Sequence, residues 1–367
     1  MRVLVILTEL NRYGGTLRFL ERLLEIHARR GVETALLAPS GETPDALAAL
    51  VERHGLEFLR APGRSSSETA PLLTPYFDLL FCRDAVRSCR PDLLVVSSAD
   101  PGRMSVALFL SCPALYVLHS VPESRFRLLP RLYLRLGSSL RNQVVTVSDA
   151  AALGISQSMG IPLGRISVLR NGCTLPAVVP APATSAVILT AGHVVDYKNP
   201  WLWLEVARKV LERYPEATFI WLGDGPLLDP LRLKVIELAL QDRILLPGYV
   251  EEPSSWFARA RVYFQPSLRE SQGIAVLEAM AHGVPCVVAD SGGLPESVLD
   301  RRSGFVCRAD DVSGFSAGLF KLLEDGALRE RLGGAGRLLV QEKFSPSRQE
   351  QKLLALYDNL VRKAEKR

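Results

Sequence analysis

Short, wholly apolar runs alternate along this chain with longer stretches whose apolar positions recur at helical spacing. Val3-Leu-Val-Ile-Leu7 opens the series, and a run with no polar alternation predicts a strand buried on both faces, as in a parallel sheet. A helical pattern follows (Leu17, Leu20, Leu23, Leu24, Ile26, His27) and closes at Gly31. The scheme repeats. Thr34–Ala38 is a strand ended by a Pro-Ser-Gly turn, Arg60–Ser67 is a polar loop, and Pro91–Val96, Leu115–Leu118 and Val144–Val147 are further strands. Ser148-Asp149 then predicts the N-cap of the next helix. Strands alternating with helices predict a doubly wound α/β domain. Thr174–Ala186, rich in Pro and Ala, reads as a linker. Beyond it, strand-like runs at Val187–Ala191, Thr218–Leu222 and Arg261–Pro266 restart the pattern. From Gly314 to Arg367 the chain is helical in pattern, with a break at Phe344-Ser345-Pro346 before a last helix (Leu353, Leu354, Leu356, Tyr357, Leu360). No internal repeat or low-complexity tract is evident.

A length of 367 residues exceeds what one hydrophobic core usually serves, so two domains of similar size are expected. Apolar residues at 48% and charged residues at 23% suit a globular enzyme. The net charge of +5 permits an acidic ligand or an anionic membrane surface, and no nucleic-acid partner is expected from it. Six scattered cysteines (Cys82, Cys89, Cys112, Cys173, Cys286, Cys307) form no CxxC pair and read as reduced residues of a cytosolic protein, with neither a zinc site nor a disulfide framework. Five apolar residues between Arg2 and Thr8 are too few for a signal peptide, and the run from Val106 to Leu118 is broken by Ser111 and Pro113. The expectation is a cytoplasmic protein, at most peripheral at the cytoplasmic face of a membrane.

The chemistry concentrates in Ser267-Leu-Arg-Glu270-Ser-Gln-Gly273-Ile-Ala-Val-Leu-Glu278, which follows a buried strand and runs into a helix ending at Gly283. Backbone N–H groups from Ser271 and Gln272 through Gly273, Ile274 and Ala275 then stand at a helix start, where orphan donors and the positive dipole end favour an anion. Glu270 and Glu278 flank this nest. Two carboxylates cannot favour an anion, so they suit hydroxyls instead, and a diphosphate between a sugar and a ribose would satisfy all three features. The alternative is a solvated loop glutamate and a helix-surface glutamate. At the amino end, Gly14-Gly15 between strand and helix is either a phosphate cradle or only a tight turn. His119 stands at the carboxyl end of a strand, the edge where open α/β sheets bind ligands, and is otherwise structural.

The seven-residue spacing of Glu270 and Glu278 resembles the E-x7-E motif of retaining glycosyltransferases with the GT-B fold, family 4 in particular. Further segments follow in that family's order. Ile166-Ser-Val-Leu-Arg-Asn171-Gly172 resembles its "vi-NG" segment, and Gly192-His193 through Lys198 its "GR-x4-K" loop, with His193 in the arginine's place. Gly223-Asp-Gly-Pro226 is similar to "GdGP", Ile244-Leu-Leu-Pro-Gly248-Tyr249-Val250 to the "f-G-v" segment, and Gly292-Gly-Leu-Pro-Glu296 to "GG-x2-E". The likeness covers the whole second half of the chain and the first half only in outline.

The resemblance implies two Rossmann-like doubly wound domains facing a central cleft. Residues 1–177 would form an acceptor-side domain, 186–345 a nucleotide-sugar domain, and 346–367 a helix crossing back to the first. It implies transfer of a sugar from a nucleoside-diphosphate sugar to a hydroxyl acceptor (a glycan, a lipid-linked saccharide or a small molecule) with retention, no cofactor and no metal; no DxD-like pair stands in a suitable loop. Glu270 would contact the transferred sugar, Glu278 the ribose, and Lys198 with His193 the diphosphate. Gly223, Gly248 and Tyr249 would line the donor site, Gly14 and Gly15 would approach the donor phosphate, and His119 would position or polarise the sugar. No protein nucleophile is assigned.

Two rivals compete. A non-catalytic GT-B subunit binding nucleotide or a partner protein is favoured by His193, and opposed by Glu270, Glu278 and Lys198. A dinucleotide-dependent oxidoreductase is opposed by the lack of G-x-G-x-x-G spacing between Thr8 and Gly15. Finally, Arg125–Arg141 carries five arginines, no acid, and interleaved Leu128, Leu132, Tyr133, Leu136 and Leu140. It suits either an anionic membrane interface or an ordinary amphipathic helix.

Overall fold

The computed structural model of the chain describes residues 1–8, 14–39, 41–60, 74–98, 112–121, 142–177 and 186–365, with only the backbone of 74–81 and of residue 98. It divides into two compact units, Met1–Arg170 with Gln349–Arg367, and Asn171–Arg348.

In the first unit seven parallel strands form one sheet: β1 (Arg2–Leu7), β2 (Glu33–Ala38), β3 (Glu57–Arg60), β4 (Leu93–Ser98), β5 (Ala114–Leu118), β6 (Gln143–Thr146) and β7 (Ile166–Val168). Their order is β3-β2-β1-β4-β5-β6-β7. The order reverses between β1 and β4, which makes the loops after those strands the crevice of the sheet. The apolar runs occupy the central strands because both faces are covered: Val3, Leu4 and Val5 are fully buried, as are Leu115, Tyr116 and Val117. The first helix, Gly15–Arg30, ends where the pattern predicts, with Gly31 left-handed at φ 62°. Ser148 caps the Asp149–Met159 helix as expected, its Oγ accepting the Ala151 N–H at 3.0 Å.

The last helix, Pro346–Glu365, buries Leu353, Leu356, Tyr357 and Leu360 in the first unit's core. A fully buried histidine anchors it. Thr34 gives its hydroxyl hydrogen to Val32 O (3.2 Å), so its oxygen accepts from His27 Nδ1 (2.8 Å), and His27 Nε2 accepts from Tyr357 O–H (2.9 Å). Burial pushes the His27 pKa down to about 4, consistent with that neutral pairing. Glu350 adds ion pairs to Arg29 and Arg30 at 2.8 and 2.6 Å.

The second unit repeats the scheme with β8 (Val187–Ala191), β9 (Thr218–Leu222), β10 (Ile244–Gly248), β11 (Val262–Gln265), β12 (Cys286–Ala289) and β13 (Gly304–Cys307), in the order β10-β9-β8-β11-β12-β13. All are parallel. Its crevice lies between β8 and β11. Four strands, β3, β7, β10 and β13, were not read as strands in the sequence. All four lie at sheet edges, and their partly exposed residues lack the fully buried apolar run that marks a central strand. Among the described residues no helix is long and apolar enough to cross a membrane.

Candidate active site

In the second unit the predicted donor residues lie at the carboxyl edge of the sheet: Gly248 ends β10, Ile274, Ala275 and Glu278 are in the Ile274–Ala281 helix, and the others are on loops. Gly192–Asn199 follows β8, Gly223–Leu227 follows β9, Tyr249 follows β10, and Pro266–Gly273 follows β11. Lys198 and Glu270, 72 residues apart in sequence, form an ion pair in the crevice between β8 and β11. Their side chains are only 13% and 16% exposed, so the contact is well shielded from bulk water. Asn199, left-handed at φ 60°, ends the short turn carrying Lys198 and starts the Pro200–Arg213 helix with proline in its first turn.

The glutamate loop is clamped from behind by the glycine-rich turn after β12. Ser291 Oγ donates to Ser267 O (2.6 Å), Gly293 N–H to Glu270 O (2.8 Å), and Ser297 Oγ to Gln272 O (2.9 Å). The approach is so close that a Cβ on Gly292 would stand 1.9 Å from Glu270 O, and Gly292 is itself left-handed at φ 52°. Leu268 N–H donates to Tyr197 O (2.8 Å), which ties the glutamate loop to the turn bearing Lys198.

The Ile274–Ala281 helix begins as predicted, with left-handed Gly273 (φ 84°) as its cap. Leu277 N–H to Gly273 O, at 3.1 Å, is its first helical bond, so the N–H groups of Gly273, Ile274 and Ala275 lie ahead of the ladder. Ser271, Ile274 and Ala275 are partly exposed there. The buried Gln272 side chain is already spent: its Oε1 accepts from Asn171 N and Nδ2 at 2.8 and 2.9 Å, leaving only main-chain groups for a ligand. Glu278 is half-buried one turn on. Its carbonyl accepts from His282 Nδ1 (2.8 Å), whose Nε2 pairs with Ser254 Oγ at 3.0 Å.

His193, in the place where the resemblance expects arginine, is half-buried. Burial and then the Lys198 charge push its pKa below the ordinary value, and Asp224 opposes them. Gly223 is forced to be glycine, since a Cβ there would stand 1.9 Å from Gly192 O at a φ of 152°. Gly248 O accepts Gly223 N–H at 2.8 Å, and Tyr249 is exposed. The described residues contain no cluster of three His, Cys, Asp or Glu placed to hold a metal.

In the first unit the crevice between β1 and β4 gathers Thr8, Ser97 and His119. Thr8 N–H donates to Ser97 O at 3.3 Å, and Ser97 Oγ stands 2.9 Å from His119 Nε2. The Phe19 ring meets the imidazole edge-on at 4.9 Å. Burial pushes the His119 pKa down to about 4, so at neutral pH it offers a hydrogen bond and no charge. Gly14 caps the first helix at φ 110°, and Gly15 is its first residue.

Sequence reasoning passed over Ser97, Phe19, Tyr263 and Gln265. The last had one available signal, a glutamine closing an otherwise apolar strand just before Pro266.

Residues 13–175 match the family described as Glycosyltransferase Family 4, and residues 174–339 match Glycosyl transferases group 1. The chain belongs to the GT-B glycosyltransferases of family 4. One relative of this family-4 chain is N-acetyl-alpha-D-glucosaminyl L-malate synthase of Bacillus anthracis, 30% identical over 40% of this chain and 37% of that protein. Another is the UDP-Gal:alpha-D-GlcNAc-diphosphoundecaprenol alpha-1,3-galactosyltransferase of Escherichia coli, 28% identical over 45% of this chain and 46% of that protein. Each match spans less than half the relative's length. Among solved structures, Anabaena Alr3699/HepE in complex with UDP and glucose matches with a TM-score of 0.80 at 17% identity, covering 98% of this chain and 100% of that one. At that identity the likeness speaks for the fold, two parallel-sheet Rossmann-like domains.

Proposed function

We propose that this chain moves a hexose-type sugar from a nucleoside-diphosphate sugar to a hydroxyl acceptor, with retention at the anomeric carbon and without a metal. One observation carries the reading: a lysine–glutamate pair held beside the open N–H groups of a helix start, in the sheet's crevice. Negative charge grows on the diphosphate as the glycosidic bond breaks. The Lys198 ammonium and the N–H groups of Gly273, Ile274 and Ala275 are fixed donors for it, and fixed donors lower such a barrier because they need no reorganisation. Glu270 accepts from the sugar hydroxyls and Glu278 from the ribose. His119, uncharged at neutral pH, acts by hydrogen bonding to the sugar. Retention and the choice of sugar-nucleotide chemistry are supported by the family.

Thermal stabilisation by a panel of UDP, GDP, ADP and NAD tests the reading. Ligand at a hundred times its Kd stabilises by about 2.7 kcal/mol, so one of the first three is expected to raise Tm by several degrees. A response to NAD alone, or to none, sinks it.

Glu278→Ala is expected to weaken binding of the preferred nucleoside diphosphate by about 1.5–3 kcal/mol, the range for a hydrogen bond to a charged group. Isothermal titration reads this, and unchanged affinity in a folded variant would remove Glu278 from the site.

His193 makes a pH prediction. Its pKa in the free chain lies below the ordinary value of 6.5. A bound diphosphate raises it, because an opposite charge favours the protonated form. Binding therefore takes up a proton between the two values, and affinity falls as pH rises from the free-chain pKa to the bound one. His193→Arg should flatten that fall and tighten binding at pH 8. Parallel curves for the two proteins would mean that His193 turns away from the ligand.

The acceptor side also includes peripheral contact with an anionic membrane at the cytoplasmic face. Its support is the composition of Arg125–Arg141, which lies outside the described residues. Co-sedimentation with anionic liposomes, lost in Arg131→Glu/Arg135→Glu, is the expected result; no binding at low salt ends that part.

A further inference from the structure

Strand β11 reads Val262-Tyr-Phe-Gln265, and all four residues are buried. Glutamine is costly in such a strand unless every polar atom is matched, and here the matching runs in one direction. Ala191 N–H, at the end of β8, donates to the Tyr263 hydroxyl (3.2 Å). The hydroxyl hydrogen has two acceptors in reach, Gln265 Oε1 at 2.7 Å and Ala191 O at 3.2 Å, and the shorter is the glutamine. Gln265 Nε2 then donates to Glu270 Oε2 at 2.7 Å. A carboxylate only accepts, so this contact fixes which way the amide points. Burial holds the Tyr263 pKa well above its ordinary value, which keeps that hydroxyl a donor. Lys198 donates to the same Glu270 Oε2. Both donors thus fall on one oxygen, and Glu270 Oε1 makes no hydrogen bond among the described residues.

We infer that Gln265 is a positioning residue: with Tyr263 it locks Glu270 to the end of β8 and presents Oε1 to the sugar of the donor. The inference rests on the proposed sugar-nucleotide reading. Neither Tyr263 nor Gln265 touches substrate in it; they act through Glu270. Lys198 alone would leave the carboxylate free to rotate about a flexible ammonium, whereas a planar amide fixed at both ends sets its plane. The charged or titratable groups acting around this point are Lys198, Glu270, Tyr263, Cys286 and Glu278, with Lys198 also acting on His193.

The test compares the full chain with Gln265→Met, Gln265→Glu, Glu270→Gln and the double variant Gln265→Met/Glu270→Gln. Isothermal titration is run with UDP, GDP and ADP and with their glucose conjugates. Expected in Gln265→Met is a nucleoside-diphosphate affinity within twofold of wild type, with about tenfold weaker binding of the matching glucose conjugate. Glu270→Gln should lose as much, and the double variant no more than either single one. Gln265→Glu sets a second carboxylate against Glu270; two carboxylates this close share a proton, so its loss should recover as pH falls towards 5. A merely structural glutamine would lower diphosphate and conjugate affinity together. The inference is overturned by that pattern, by wild-type behaviour of Gln265→Met beside a weakened Glu270→Gln, or by a Glu270→Gln that binds the conjugate normally. If wild type binds none of the three diphosphates, the sugar-nucleotide reading itself fails, which is a separate and recognisable result.

Discussion

Lys198→Ala is expected to cut sugar transfer by two to three orders of magnitude. Removal of one fixed donor to a developing anion typically costs a factor of about 10²–10³. Lys198 supplies a full positive charge where the Gly273–Ala275 N–H groups supply partial ones, so the upper end of that range applies. The variant also strands Glu270, whose side chain is only 16% exposed. Breaking a fully buried pair costs about 3–5 kcal/mol; with the residual exposure and the Gln265 hydrogen bond retained, about 1–3 kcal/mol is expected here. Lys198→Arg keeps the charge but replaces a compact ammonium with a planar fork, and should restore stability more fully than activity. Urea denaturation and single-turnover transfer separate the two quantities. Activity within fivefold of wild type in Lys198→Ala would leave the helix start as the whole diphosphate site.

Gly292→Ala is the second large effect, and it acts without touching a ligand. An added Cβ would stand 1.9 Å from Glu270 O, and the backbone sits at φ 52°, where L side chains are strained. Backbone cannot yield as a side-chain tip can, so either the glycine-rich turn or the glutamate loop must move. A loss of at least about 3 kcal/mol in stability is expected, combining steric overlap with positive-φ strain. Whatever folds should bind nucleoside diphosphate poorly, since the Gly293–Glu270 and Ser297–Gln272 bonds hold the nest in place. Gly334→Ala is the matched control. Gly334 lies in the Gly326–Lys343 helix with nothing within 4 Å of its added Cβ, and alanine there should stabilise by about 0.5–1 kcal/mol. Equal stability of Gly292→Ala and wild type would show that the turn is loose, and with it the clamp on Glu270.

The sequence by itself placed the central strands and the start of the Ile274–Ala281 helix. Central parallel strands must be apolar on both faces, so Val3–Leu7, Leu115–Leu118 and Val187–Ala191 announce themselves. A helix start after a left-handed glycine is a local matter, and Gly273 with the apolar spacing behind it was enough to place the nest. What the tertiary structure alone decided is which distant groups meet. Lys198 and Glu270 are 72 residues apart, and only the sheet order, with β8 beside β11, brings their loops into one crevice. The role of Gly292 likewise depends on how closely two loops approach, which no residue type states in advance. The edge strands β3, β7, β10 and β13 were missed because half-exposed strands need no apolar run. The neutrality of His119 and His27 follows from desolvation, a property of everything packed around a ring and of nothing written beside it in the chain.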